Sequence, residues 1–130
     1  MIYSLLIVAS PVSGHGARTA AGFALSAIAS GHSIQRVFFL DDGVYCGTAS
    51  AVFPQDEADR LQPWLQLARE HAVELVLCVS SALRRGMLDP TEAERHEKAA
   101  ATVHPAFCIG GLGQLVEAVN QCDRLITFGG

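Results

Sequence analysis

Cys78 is the residue of this sequence best placed to do chemistry. It lies near the end of the apolar run Val73–Val79, which predicts a buried strand, and Ser80 and Ser81 follow as candidate helix caps. Backbone amides at the start of a helix favour a thiolate over a thiol. The position therefore predicts a nucleophilic thiolate at Cys78. The alternative is a small apolar residue packed in a core strand.

Three further residues bear on the reactivity of this thiol. Arg84 and Arg85 follow one helical turn later and are expected to add positive potential near the sulfur. His15 lies in the first loop, from which it could approach Cys78 and form a Cys-His pair. A hydrogen bond from this loop histidine to the backbone is the alternative. Glycines two residues before and after Cys78 are missing, which argues against a nucleophile elbow.

The other three cysteines are interpreted without a catalytic role. Cys46 follows Tyr45 in a loop expected near Cys78, where it is a second thiol or, as we favour, an incidental one. For Cys108 and Cys122 we expect packing roles. No Cys-x-x-Cys pair occurs and the five histidines have no metal-ligand spacing, so we predict neither a metal site nor a disulfide framework.

Two glycine-rich segments could suggest an anion site. Gly14-His15-Gly16 follows the first apolar run and has some features of a phosphate-binding loop, which would fit a flavin or nucleotide binding module. It lacks the full G-x-G-x-x-G pattern and a Walker lysine, so a plain turn is the favoured interpretation. Gly110 to Gly113 is interpreted as a tight entry into the last helix.

Composition excludes several classes of protein. The 130 residues are 50% hydrophobic and 17% charged, which excludes a disordered chain, and 9 basic against 13 acidic residues argue against nucleic-acid binding. The apolar excess favours contacts with other subunits. The first basic residue is Arg18, and no apolar run reaches the roughly 20 residues of a membrane helix, so we expect no signal peptide, no membrane span and a cytoplasmic location with free thiols.

Apolar runs alternate with helical patterns along the chain, which predicts parallel strands joined by right-handed crossovers. We therefore predict an α/β fold, a flavodoxin-like parallel sheet with helices on both faces, in a single domain of residues 1–130. The predicted strands are Ile2–Ala9, Ile34–Leu40, Val73–Val79, Phe107–Ile109 and Arg124–Phe128, and the predicted helices are Ala17–Ser30, Asp56–His71, a turn over Ala82–Arg85, one that opens at Asp89-Pro90-Thr91, and Gly111–Asn120.

Several short motifs, taken together, resemble the DsrE family of sulfurtransferase subunits over nearly the whole chain. The resemblance implies a flavodoxin-like subunit in which Cys78 carries sulfur as a persulfide, with no metal or organic cofactor. The motifs are Val37-Phe38-Phe39, Gly43-Val44-Tyr45, Cys78 followed by Ala82-Leu83-Arg84-Arg85-Gly86, Gly111-Leu112-Gly113 and Cys122-Asp123-Arg124.

The same resemblance implies partners and a pathway. It implies a heterohexamer of two copies each of three related proteins, the other two being of the DsrF/TusC and DsrH/TusB types. A TusA-like protein would donate sulfur, and a DsrC/TusE-like protein would receive it on a cysteine of its terminal segment. Family members serve either dissimilatory sulfur oxidation or tRNA 2-thiouridine synthesis. Cys46 and the His15 loop favour the sulfur-oxidation branch over the TusD-like branch.

Overall fold

The computed structural model describes all residues 1–130, which contain five strands and five α-helices; a helix follows each of the first four strands, and two follow the third. The strands are β1 (Ile2–Ile7), β2 (Ser33–Phe39), β3 (Glu74–Cys78), β4 (Cys108–Gly110) and β5 (Arg124–Phe128), and the helices are α1 (Gly16–Ala29), α2 (Gln62–His71), α3 (Val79–Arg84), α4 (Pro90–Arg95) and α5 (Leu112–Asn120). A 3₁₀ segment, Asp41–Gly47, follows β2 where the sequence predicts a polar turn.

All five strands run parallel in the order β4-β3-β2-β1-β5. The predicted fold class, a parallel sheet flanked by helices, is confirmed. In the flavodoxin order 2-1-3-4-5 the second strand takes the edge position beside β1. Here β5, the last strand, takes that edge position.

Helix α2 begins six residues later than predicted. The sequence predicts a helix from Asp56, whereas the structure begins it at Gln62, with Pro63 in the first turn. Proline has no amide to donate and its ring clashes with the preceding turn, so it fits the start of a helix and not its interior. The apolar spacing extends the predicted helix back to Asp56, whereas Pro63, which the sequence offers as its start or as a kink, lies in the actual first turn.

Side chains along each strand alternate between two unequal cores. On one side, a cluster of 23 buried residues packs the sheet against α1 and α2; Val37, Phe39 and Leu77 belong to it. On the other side, Phe38, Val76 and Cys78 form a cluster of 3 beneath α5. Because successive strand residues point to opposite faces, the side chain of Cys78 lies on the α5 side of the sheet.

A buried arginine joins α5 to the sheet. Arg36 on β2 is 6% exposed. Its guanidinium donates to Glu74 on β3 at 2.8 Å, to Glu117 on α5 at 3.3 Å and to the carbonyl of Gln114 at 2.7 Å. Both carboxylates are about half exposed, so water shares in solvating them. Ionic and polar contacts thus replace part of the apolar packing beneath this helix.

Candidate active site

Cys78 is the last residue of β3 and the N-cap of α3. Parallel strands place the ends of β2 and β3 at the same edge of the sheet, where loops and helix starts meet. The side chain of Cys78 is only 1% exposed, yet it lines a cleft of about 470 Å³. The sulfur is therefore recessed at the wall of an open cleft. The cleft is lined by Leu40, Asp41, Cys78, Ser80, Ser81, Arg84, Arg85 and Leu112.

Hydroxyl and amide groups at the start of α3 surround the Cys78 sulfur. Ser80 Oγ lies 3.4 Å from Cys78 Sγ. Burial raises the pKa of the Cys78 thiol, whereas hydrogen bonding by the hydroxyls and amides of Ser80 and Ser81 lowers it, and the net direction is downward from the ordinary value. A lowered pKa increases the thiolate fraction at neutral pH, and the thiolate is the nucleophile.

The two arginines line the cleft without setting the pKa of the thiol. Arg85 donates to Asp42 at 2.9 Å, which offsets its charge locally, and also to the carbonyl of Ser81 at 3.2 Å. Arg84 is exposed at the cleft and forms no ion pair. Neither is among the causes that shift the pKa of Cys78. The expected positive potential is thus limited largely to Arg84.

The structure does not bring His15 or Cys46 to Cys78. His15 precedes α1 at the end of β1, two strands from β3, and its side chain forms no capping hydrogen bond. It does not line the cleft. Cys46 lies in the 3₁₀ segment, 3% exposed, within the core on the opposite side of the sheet. Neither residue forms a pair with Cys78.

Cys108 and Cys122 are more accessible than the predicted packing roles require. Cys108 is exposed and Cys122 is partly exposed. Cys108 belongs to the three-residue edge strand β4, which no further strand covers. The packing prediction is therefore wrong for Cys108.

The first glycine-rich loop is filled by the chain itself. A Cβ at Gly14 would overlap the backbone oxygen of Gly130, and one at Gly16 would overlap that of Gly129. These glycines allow close approach of two backbone segments. The oxygens carry partial negative charge where a phosphate would have to bind. The geometry therefore argues against a flavin or nucleotide binding module at this loop.

Three residues of the cleft, Leu40, Asp41 and Leu112, have no role at the site in the sequence analysis. Asp41 follows β2, the neighbour of β3, and its amide donates to Ser81 Oγ at 3.0 Å. Leu112 opens α5 and is 56% exposed. The rule that parallel strands end at one edge of the sheet does indicate the loop from Asp41 to Gly47, although it gives Asp41 no particular role. No group of three or more His, Cys, Asp or Glu side chains is arranged to hold a metal ion, and none of the helices combines the length and apolarity needed to cross a membrane.

The buried thiol of Cys46 predicts a loss of stability at alkaline pH. Burial raises the pKa of Cys46 from 9.0 to about 12. A raised thiol pKa means that the folded state favours the neutral thiol. The contribution of Cys46 to the stability of the fold is therefore complete below pH 9 and is lost as the pH rises towards 12. At pH 10 this loss is about 1 kcal/mol relative to pH 7.

Urea unfolding of the wild type and of Cys46→Ala at both pH values checks this prediction. We expect the wild type to lose about 1 kcal/mol more than the variant between pH 7 and pH 10. All other residues are the same in both proteins, so their contributions cancel in the difference. The same pH dependence in both proteins would show that Cys46 does not stay neutral in the folded state.

The fold and the site together define a class: a five-stranded parallel α/β protein with a recessed cysteine, whose pKa is lowered from its ordinary value, at the end of the interior strand β3. The chain belongs to the DsrE/DsrF-like family, whose model matches residues 3–128. The resemblance found in the sequence is thereby confirmed.

Curated relatives cover the chain almost completely. A protein of Allochromatium vinosum, provisionally named sulfurtransferase DsrE, is 43% identical over 99% of both chains. A sulfurtransferase TusD homolog of Pseudomonas aeruginosa is 42% identical over 92% of both. Sulfurtransferase TusD of Serratia proteamaculans is 40% identical over 98% of this chain and 100% of its own. The enzyme class expected from the sequence, sulfurtransferase, is thus the class of these relatives.

A solved structure supports the fold alone. The crystal structure of the ychN protein from E. coli aligns with a TM-score of 0.70, covering 98% of this chain and 100% of that chain, at 20% sequence identity.

Proposed function

We propose that this chain is a sulfurtransferase subunit that carries sulfane sulfur as a persulfide on Cys78. The observation that carries the proposal is the position of the Cys78 sulfur on an open cleft, beside groups that lower the pKa of its thiol. The names of the curated relatives support sulfur transfer as the reaction class. Cys46 is buried in the other core, which leaves Cys78 as the thiol of the cleft.

The reaction consists of two exchanges of one sulfur atom. The Cys78 thiolate attacks the outer sulfur of a donor persulfide, a bond forms between the two sulfurs, and the donor leaves as a thiolate. An acceptor thiolate then attacks the outer sulfur on Cys78, the S–S bond breaks, and its electron pair returns to Cys78 Sγ. The proton of the persulfide stays on the transferred sulfur, so atoms and charge balance in each step.

The recessed position of Cys78 restricts which groups can react. The second sulfur of a persulfide extends about 2 Å beyond the first, which brings the transferable atom from the wall into the cleft. A donor or acceptor must still insert its own sulfur between the surrounding side chains. This geometry favours a protein segment narrow enough to enter the cleft, such as the terminal segment of a DsrC/TusE-like acceptor.

We propose a TusA-like protein as the donor and two homologous subunits, of the DsrF/TusC and DsrH/TusB types, as permanent partners in a heterohexamer. Exposed apolar side chains on α5 support subunit contacts. Leu112, Val116 and Val119 are 56%, 59% and 43% exposed, and Leu125 on the edge strand β5 is 38% exposed. Large apolar side chains grouped at one surface are typical of protein interfaces. No direct contact with nucleic acid or membrane is proposed.

The destination of the sulfur has two candidates. We propose that the sulfur enters dissimilatory sulfur oxidation. The second candidate is TusD-like supply of sulfur for tRNA 2-thiouridine. It is kept because relatives named DsrE and TusD are almost equally similar to this chain, at 43% and 42% identity. The two candidates share the chemistry of Cys78 and differ in the acceptor. Sulfur transfer measured side by side to a DsrC-like and a TusE-like acceptor separates them.

Peptide mapping after treatment with inorganic polysulfide tests the carrier. We expect a gain of about 32 Da, one sulfur atom, on the peptide that contains Cys78, and its loss on reduction. The Cys108→Ser/Cys122→Ser variant removes the two accessible competing thiols and should load to the same extent. An adduct confined to other cysteines, with none on Cys78, would contradict the proposed function.

A further inference from the structure

Arg84 is the basic side chain of the cleft that has no acidic partner. It is the last residue of α3, is exposed at the cleft and forms no ion pair. Arg85 also lines the cleft, but its guanidinium donates to the Asp42 carboxylate at 2.9 Å and to the Ser81 carbonyl at 3.2 Å. A guanidinium has five N–H donors and stays charged at physiological pH. The donors of Arg84 are therefore available to a group that enters the cleft.

The acidic side chains beside the cleft act on Arg85. Asp41 lines the cleft, and Asp42 follows it in the 3₁₀ segment. The pKa of Arg85 is raised by its hydrogen bond to Asp42 and by the nearby negative charges of Asp42 and Asp41. The positive charge of Arg85 is therefore offset, whereas that of Arg84 is not.

The length of α3 sets the distance between the charge of Arg84 and the reactive sulfur. Cys78 is the N-cap of α3, and Arg84 lies six positions further on at the end of the helix. At 1.5 Å per residue, the two backbone positions are about 9 Å apart along the helix axis. An extended peptide covers this distance with about three residues. A segment whose cysteine reaches Cys78 therefore has a residue about three positions away within reach of Arg84.

We infer that Arg84 is a specificity-determining residue of the cleft: it binds a carboxylate that the partner's segment carries about three residues from the cysteine that exchanges sulfur with Cys78. A guanidinium and a carboxylate match each other in a pair of charge-assisted N–H···O hydrogen bonds. This inference rests on the proposed function and deepens it, because it assigns an acidic character to the partner's segment. Arg84 holds the partner and leaves the exchange of sulfur between the two cysteines unchanged.

Two alkylating reagents of similar size and different charge test the site beside Cys78. Iodoacetate is an anion and iodoacetamide is neutral. Both react with the same thiolate, so the ratio of their rates does not depend on the pKa of Cys78. Mass spectrometry follows both rates on the Cys78 peptide, in the Cys108→Ser/Cys122→Ser background, at low salt and at about 1 M salt; together the rates form the alkylation profile of Cys78. For Arg84→Gln at low salt, we expect the iodoacetate-to-iodoacetamide ratio to fall about threefold.

Three variants and the salt dependence separate this site from a general effect of charge. Arg84→Lys keeps the positive charge and should keep most of the ratio. Arg69→Gln removes an exposed arginine from α2, on the other side of the sheet, and should leave the ratio unchanged. Asp41→Asn removes a negative charge from the cleft and should raise it. In the wild type, about 1 M salt should lower the ratio, because the screening length is then about 3 Å.

Sulfur transfer to short peptides tests the acidic character of the partner. Persulfide-loaded protein is mixed with a peptide that carries one cysteine and, about three positions away, either glutamate or glutamine. We expect the preference for the glutamate peptide to be about threefold greater in the wild type than in Arg84→Gln. Any effect of the glutamate on the thiol of the peptide is the same with both proteins and cancels in this comparison.

The inference is overturned if the alkylation ratio of Arg84→Gln equals that of the wild type, if Arg69→Gln lowers the ratio as far, or if the wild-type ratio does not respond to salt. A lower alkylation ratio without a change in the peptide preference also overturns it, because Arg84 would then act on small anions only. If Arg84→Gln does not fold, Arg84→Met replaces it, with the same expected results. A wild type that takes up no sulfane sulfur on Cys78, together with a lower alkylation ratio in Arg84→Gln, contradicts the proposed function alone.

Discussion

Replacing Cys78 with serine should lower the rate of sulfane sulfur transfer at least about 100-fold, because a hydroxyl cannot form a persulfide and is scarcely ionised at neutral pH. The measurement is the single-turnover rate at which protein preloaded with polysulfide passes sulfur to a cysteine-containing acceptor peptide. Serine is nearly the size of cysteine and can keep the contact with Ser80, so the fold should persist. Circular dichroism and urea unfolding of the variant check this.

Cys46→Ser supplies the matched control for that result. Cys46 is as deeply buried as Cys78, at 3% and 1% exposure, but lies in the core on the other side of the sheet. We expect its transfer rate to stay within about twofold of the wild type, since the buried thiol stays protonated and does not line the cleft. If sulfur transfer survives in Cys78→Ser and disappears in Cys46→Ser, the carrier is Cys46 and the proposal for Cys78 is wrong.

Trp64→Ala should destabilise the protein by about 3–5 kcal/mol, the range found when a large buried aromatic is truncated. Trp64 is 1% exposed on α2 and packs edge-on against Phe39, with ring centroids 5.0 Å apart. Truncation removes apolar surface and leaves a cavity in the core of 23 residues. The urea midpoint should fall by roughly 2 M. Circular dichroism is the appropriate signal, because Trp64 is the only tryptophan.

Two comparisons make the Trp64 result specific. Trp64→Phe keeps a ring against Phe39 and should cost less than the alanine variant. Under conditions in which Trp64→Ala is still folded, the alkylation profile of Cys78 should match that of the wild type. The side chains of Trp64 and Cys78 belong to cores on opposite sides of the sheet. If Trp64→Ala lowers the free energy of unfolding by less than about 1 kcal/mol, the neighbouring side chains must move into the cavity and fill it.

The sequence predicts the parallel α/β fold and the position of Cys78 well, because both follow from local patterns. Short apolar runs that alternate with helical spacing indicate parallel strands, and Cys78 at the end of β3 follows directly. The predicted last strand, Arg124–Phe128, agrees with β5 residue for residue. Strand order is not encoded locally, so the sequence could not show that β5 pairs with β1 at the edge of the sheet.

The surroundings of Cys78 could be predicted only in part, because they depend on contacts between distant residues. Asp41 reaches Ser81 across 40 positions of the chain, and no spacing rule anticipates its left-handed backbone. Ser80 and Ser81 were expected to cap a helix. Instead, the Ser80 hydroxyl contacts the Cys78 sulfur, and the Ser81 hydroxyl accepts a hydrogen bond from the Asp41 amide. Gly14 matched a phosphate-loop pattern locally, and only the fold brings the backbone of Gly130 against it.

The unequal division of the core has a consequence for the motion of the protein. Local opening costs least where few apolar contacts must be broken. Helix α5 rests on a cluster of 3 buried residues and on the half-hydrated ion pairs of Arg36, whereas α1 and α2 cover a cluster of 23. In the isolated subunit, local opening should therefore be concentrated in α5. Since Leu112 of α5 borders the cleft, the same fluctuation would transiently widen the path to the sulfur of Cys78.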